Sequence, residues 1–294
     1  MQRWLARQAA AEGERLDLLR QRFWGDRHPG RLDRVLVLQA RSLLWALDPI
    51  REATEGEVWI TVEHPDELER LEAQVQILDP LVRPQLMVVP RDRPQPLRDL
   101  LQAGGRFEWI VGRQPALPTD GVDTQEWVSA LSALAAPGAH LRLLFSQPRI
   151  GPATGLLSLL RSPGGANPTP PPLLERAGVI EAEGLQQEVL FPPAWLSELE
   201  RQGWQLQKQE WEESLELQLV ERLLERWFGP LVAYRASLVA AGWASKELET
   251  LRSLFAAHLG ARLPQLLRHG VLEGRWPEAM SQQKSPGRGR GKKG

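Results

Sequence analysis

At 294 residues and 42% hydrophobic side chains, the chain can bury one large core, or a core with a small appendage. Its 36 basic and 37 acidic residues leave a formal charge of −1, which argues against a body that grips nucleic acid by bulk charge. The absence of cysteine excludes disulfides, thiolate metal sites and cysteine nucleophiles together, and no apolar run reaches the ~18 residues of a membrane span.

The N-terminus is charged throughout and lacks the apolar stretch of a signal peptide, so a soluble cytoplasmic protein is expected. Residues 2–24 are predicted to form a helix, with Leu5, Ala9, Leu16, Leu19 and Phe23 near helical spacing. Gly25 and residues 26–30 stop it. A short apolar run at 34–39 has the character of a strand covered on both faces. Residues 41–53 suit a helix, and 57–63 a second strand ending at Glu63. His64-Pro65-Asp66 opens a helix through about Leu78. A third strand runs over 85–90, a helix over 94–103, and a fourth strand from Arg106 to Gly112. The helix at 123–135 is expected to stop at Ala136-Pro137-Gly138, before a fifth strand at 140–146.

Five strands alternating with helices indicate a parallel, doubly wound α/β sheet. Residues 161–172 are rich in Pro and Gly and are predicted to be a loop. A short helix follows at 193–204. Residues 205–219 alternate with a period near two and are expected to supply two strands around a bend at Glu212–Ser214, completing seven. Residues 221–273 are expected to be helical, punctuated by Gly229-Pro230 and Gly242. The predicted organisation is an N-terminal helix (1–30), an α/β domain (31–220), C-terminal helices (221–277) and a disordered basic tail (278–294).

Over about residues 30–220 this layout resembles the class I S-adenosylmethionine (SAM) dependent methyltransferases, which implies a seven-stranded Rossmann-type fold and SAM as cofactor. Glu63 stands where the family keeps an acid for the ribose hydroxyls; a solvated acid before a helix is the alternative. Asp92, just past the third strand, stands where the family often contacts adenine; a polar loop is the alternative. Residues 106–117 are similar to the family's fourth-strand segment, which places Gly112 beside the cofactor. Residues 131–151 are similar to its helix, Pro-Gly turn and fifth strand. Gly112-Arg113-Gln114 lies where the family's catalytic residues stand. Gln114-Pro115 resembles an amide–proline pair, which makes Gln114 a weak catalytic candidate and Arg113 a residue for closing the pocket or meeting a partner.

One motif departs. The family's first turn is glycine-rich, because its backbone must approach the cofactor where a β-carbon would obstruct. Here it reads Leu38-Gln39-Ala40-Arg41-Ser42-Leu43-Leu44. Gln39, Ala40 and Arg41 therefore occupy the cofactor's seat, and Arg41 brings a cation that a sulfonium gains nothing from. Two functions follow: a degenerate module that works by interaction, or an active SAM-dependent methyltransferase with an atypical turn.

A narrower resemblance rests on residues 21–38, 107–114, 221–230 and 248–276. They are similar to the C-terminal, methyltransferase-like part of cyanobacterial fusions in which a RarA-type AAA+ ATPase, associated with replication-fork maintenance, precedes this domain. That resemblance implies an AAA+ ATPase as partner. The chain itself has no G-x-x-x-x-G-K-[ST] phosphate loop.

The remaining signals are diffuse. Five histidines (28, 64, 140, 258, 269) show no metal-ligand spacing, and only His64 sits at a predicted strand end. No Ser–His–acid order stands out and Gly-x-Ser-x-Gly is missing. Twelve tryptophans stand against one tyrosine. Trp45, Trp59, Trp109 and Trp127 are assigned to packing, while Trp227, Phe228 and Trp243 are either interface anchors or docking residues. Lys284, Arg288, Arg290, Lys292 and Lys293 give the tail the means to hold nucleic acid weakly, or simply to aid solubility.

Overall fold

The computed structural model describes residues 16–40, 42–115, 118, 121–161, 171–187, 189–230 and 232–278. A helix over 16–24 (α1) leads to β1 (Arg34–Leu38). A 3-10 turn (Leu43–Ala46) runs into α2 (Leu47–Glu52), followed by β2 (Glu57–Val62) and α3 (Pro65–Val75). Then come β3 (Gln85–Val88), α4 (Gln95–Gln102), β4 (Phe107–Arg113), α5 (Gly121–Ala133) and β5 (Ala135–Pro148). Three helices follow: α6 (Pro152–Leu160), α7 (Pro172–Gln187) and α8 (Pro193–Gln202). The chain continues through β6 (Gln205–Gln218), α9 (Glu221–Phe228), α10 (Ala233–Ala240), α11 (Ser245–Ala256) and β7 (Arg262–Arg275).

The seven-stranded α/β sheet expected of a methyltransferase-like chain is present, in the order β3-β2-β1-β4-β5-β7-β6. β1 pairs in parallel with β2 and with β4, and β2 with β3. β7 runs antiparallel to β5: Trp276 N–H donates to Ala139 O (2.8 Å), and Arg149 N–H donates to Leu266 O (2.7 Å). The sheet is therefore mixed.

The described residues form two compact units. One draws on described residues within 16–143, 194–207 and 272–278, the other on those within 144–193 and 208–271. In the first, Val35, Leu36, Val37, Leu38, Ile60, Val62, Ile110 and Val111 are all buried, which is why these parallel strands are near-continuous apolar runs. Leu16, Leu19 and Phe23 bury one face of α1, and both Arg20 and the Trp24 indole N–H (2.9 Å) bond the Asp48 carboxylate. In the second, Leu224, Phe228, Leu238, Trp243, Leu248, Leu251 and Phe255 pack with α6 and α7 residues into one core. Trp227 packs edge-on and Phe228 tilted against Phe255 there, so Trp227, Phe228 and Trp243 serve to dock helices. The first of these tryptophans is half-buried.

Four expectations need correction. Residues 262–275 are a strand rather than the end of the C-terminal helices. In a helix interior Pro264 would cost about 3 kcal/mol, and Gly270 and Gly274 about 1 kcal/mol each, relative to alanine. Residues 205–218 form one strand with no bend at Glu212–Ser214: Trp211, Glu213, Leu215 and Leu217 are half-buried between exposed neighbours, an unbroken period of two. Pro137-Gly138 is no turn before β5 but lies inside it, the left-handed φ of +77° at Gly138 being absorbed while pairing continues on either side. Residues 41–53 are also not one helix, since the Ser42 side chain caps a 3-10 turn before α2 begins. Helices α6 and α7 contain glycines that interrupt their apolar periodicity. A β-carbon at Gly178 would stand 3.0 Å from Leu157, so that glycine serves close helix packing.

Candidate functional site

In an open α/β sheet, ligands lie beyond the carboxyl ends of the strands, next to the point where strand order reverses. Here that point falls between β1 and β4, with β2 and β3 extending to one side. Register places Leu38 opposite Gly112, so Gln39 and Arg113 leave the sheet side by side.

Both strand ends are conformationally unusual. Gln39 and Gln114 are the non-glycine residues with positive φ among those described, at 46° and 47°. The Gln39 N–H donates to Thr61 Oγ1 (2.8 Å) and the Ala40 N–H to Thr61 O (3.0 Å), which pins the turn against β2. The Gln39 side chain is buried, and neither its amide nitrogen nor its oxygen has a hydrogen-bond partner. Gln114 is exposed. The Arg113 guanidinium lies 4.4 Å above the Trp45 ring, and Trp45 in turn packs edge-on against Phe23. Two backbone donors further along the turn are engaged: Leu43 N–H bonds Gln74 Oε1 and Leu44 N–H bonds Ser42 Oγ, both at 3.3 Å. A β-carbon at Gly112 would meet Leu38 Cβ at 3.2 Å and Leu143 Cδ2 at 3.3 Å, so this glycine is needed by strand packing. Arg41 lies outside the described residues.

The ends of β2 and β3 are open. A cavity of about 380 Å³ is lined by Glu63, His64, Pro65, Pro90, Arg91, Asp92, Pro118 and Asp123. Glu63 and Asp92, singled out separately in the sequence, are thus brought to one wall. Arg91 Nε stands 3.9 Å from Glu63. The Glu67 carboxylate accepts from Glu63 N–H (3.1 Å), which holds the start of α3 in place. Two indoles fix the rim: Trp127 donates to Arg91 O (2.7 Å) and Trp195 to Pro118 O (2.9 Å). Pro118 and Asp123 were not singled out in the sequence, because only the fold brings the segment after β4 to the ends of β2 and β3. The tail residues Lys284, Arg288, Arg290, Lys292 and Lys293 lie outside the described residues. Among the described residues, no group of three His, Asp or Glu side chains is placed to hold a metal ion, and no helix is long and apolar enough to cross a membrane.

No family model matches the chain, and no curated protein does. Solved structures do. A Bacillus halodurans protein assigned by name to the methyltransferases is 14% identical, with 90% of this chain and 100% of that one covered at a TM-score of 0.44. Geranyl diphosphate C-methyltransferase of Streptomyces coelicolor, solved with Mg²⁺, geranyl diphosphate and S-adenosylhomocysteine, is 10% identical, with 92% and 84% covered at 0.43. A Galdieria sulphuraria structure named for sarcosine/dimethylglycine methylation is 13% identical, with 94% and 85% covered at 0.41. At such scores the description of this fold rests on its own strand order. The ligands in those names stay with those proteins.

Proposed function

We propose that this chain is a methyltransferase-fold module that does not transfer methyl groups and works through protein interaction, with a RarA-type AAA+ ATPase as its partner. The observation that carries the reading is the Arg113–Trp45 stack at the ends of β1 and β4. A SAM methyl donor must place its sulfonium at that reversal point. The aromatic face that would attract such a cation is already held by a guanidinium. The turn after β1 adds to this, since every residue from Gln39 to Leu44 carries a β-carbon where close backbone approach is required. A nucleoside half suits the cavity beside Glu63 and Asp92; a methionine–sulfonium half does not suit β1 and β4.

A second reading, an active SAM-dependent methyltransferase with an atypical turn, is favoured by one feature. The buried Gln39 amide lacks a partner, as a group awaiting a ligand would. Calorimetric titration of the full-length protein with SAM and with S-adenosylhomocysteine separates the two. The interaction reading expects neither heat nor a thermal shift at millimolar ligand; micromolar binding of either compound would sink it.

A further inference from the structure

The second unit holds a side-chain array outside the site described above. Ser146 on β5, His269 on β7 and Glu213 on β6 lie on three neighbouring strands. The bond between Arg149 N–H and Leu266 O sets Ser146 directly opposite His269 across the antiparallel pair. Ser146 Oγ is 2.8 Å from His269 Nδ1, and His269 Nε2 is 2.9 Å from Glu213 Oε2. The imidazole is buried at 1% exposure and is stacked against Trp211 (5.3 Å, 24°), which fixes its plane. Ser146 is half-buried, and the Glu213 side chain is 20% exposed.

The direction of these bonds follows from chemistry. An ionised carboxylate only accepts, so the ring hydrogen sits on Nε2, facing Glu213. With the ring neutral and its hydrogen on Nε2, Nδ1 is the nitrogen left to accept the Ser146 hydroxyl proton. A hydroxyl donating to an imidazole oriented by a carboxylate is the arrangement that activates a serine, whichever ring nitrogen faces it. The chain order is Ser, Glu, His, spread over more than a hundred residues, so no local motif announced it.

We infer that Ser146 is a nucleophilic serine, with His269 as its general base and Glu213 as the residue that orients the base, and that it accepts small acyl groups from esters. In the step, Ser146 Oγ bonds to the acyl carbon and its proton passes to His269 Nδ1. The ester C–O bond then breaks, and the leaving alkoxide takes that proton. Water releases the acid in a second, equivalent step and restores the hydroxyl. Because Ser146 is half-buried, a small acyl group is the one tested.

The test uses the full-length protein with a fluorophosphonate probe and with p-nitrophenyl acetate. The expected results are a probe adduct on the Ser146 peptide, lost in Ser146→Ala, and ester hydrolysis that rises with pH as the imidazole loses its proton. Glu213→Gln and His269→Gln are expected to slow acylation at least about tenfold, with the imidazole step gone from the pH profile of His269→Gln. Circular dichroism checks the fold of each variant. Two results would overturn the inference, the first being wild-type protein that leaves Ser146 unlabelled under excess probe. The second is a hydrolysis rate and pH profile that Ser146→Ala leaves unchanged, a measurement that holds even if the histidine variant fails to fold.

Discussion

Gln39 combines a left-handed backbone with a buried amide that bonds to nothing. The conformation costs about 1–2 kcal/mol for a residue with a β-carbon, and the unsatisfied polar group about 1–3 kcal/mol. Gln39→Leu keeps the volume and removes the unmet polarity. It is therefore expected to raise stability by about 1–2 kcal/mol, read as a higher urea midpoint at unchanged slope. A lower midpoint would show that the amide is satisfied in solution. At this scale the sequence was partly legible. The missing glycines of residues 39–44 are visible in one line of text, because a β-carbon is a local property. That Arg113 stacks on Trp45 was not visible, since the two approach only once β4 lies beside β1.

Glu181 on α7 holds the start of α6. Its carboxylate accepts from Ala153 N–H (2.7 Å), Thr154 N–H (2.9 Å) and the Thr154 hydroxyl (3.0 Å), so it closes a helix N-terminus from a neighbouring helix. Burial raises its pKa from the ordinary carboxylate value, opposed by the Tyr234 hydroxyl and by those bonds from Ala153 and Thr154. The folded state therefore holds the proton more tightly than the unfolded chain does. As pH rises from the unfolded value near 4.5 through the raised folded value, the folded protein gives up this advantage and stability falls. Thermal melts of wild type and Glu181→Gln should show the wild type losing ground to the variant upward from about pH 4.5, with a plateau above the folded pKa. A gap independent of pH would refute the burial argument. The same packing explains which elements were misread. Strands β1, β2 and β4 carry their burial as apolar runs and were legible. β7 and α7 contain glycines whose reason is a neighbour: a β-carbon at Gly270 would meet Phe191 at 2.5 Å, and one at Gly178 would meet Leu157.

For the whole molecule, residues 281–294 included, the net charge is −1 and the sequence pI about 6.6, which gives little reach for distant charged partners. Those residues supply five of the basic side chains and no acid, so the remainder carries −6. Contact with an AAA+ ATPase should therefore depend weakly on salt unless residues 281–294 make it. Pull-down with a RarA-type ATPase is expected to persist from about 50 to about 300 mM salt, over which the Debye length falls from about 14 to about 6 Å, and to survive removal of those residues. No retention at low salt, with or without them, would count against the partner. The sequence by itself determined the fold class, the parallel core of β1 to β4 and the place where a methyltransferase-like turn departs from pattern. Each of these is written in local patterns of burial, backbone freedom and charge. Tertiary structure alone decided that the last strand is β7, that Glu63 and Asp92 share a cavity, and that Ser146, Glu213 and His269 meet. Such pairings join residues distant along the chain, and nothing in the local sequence specifies which of them will come into contact.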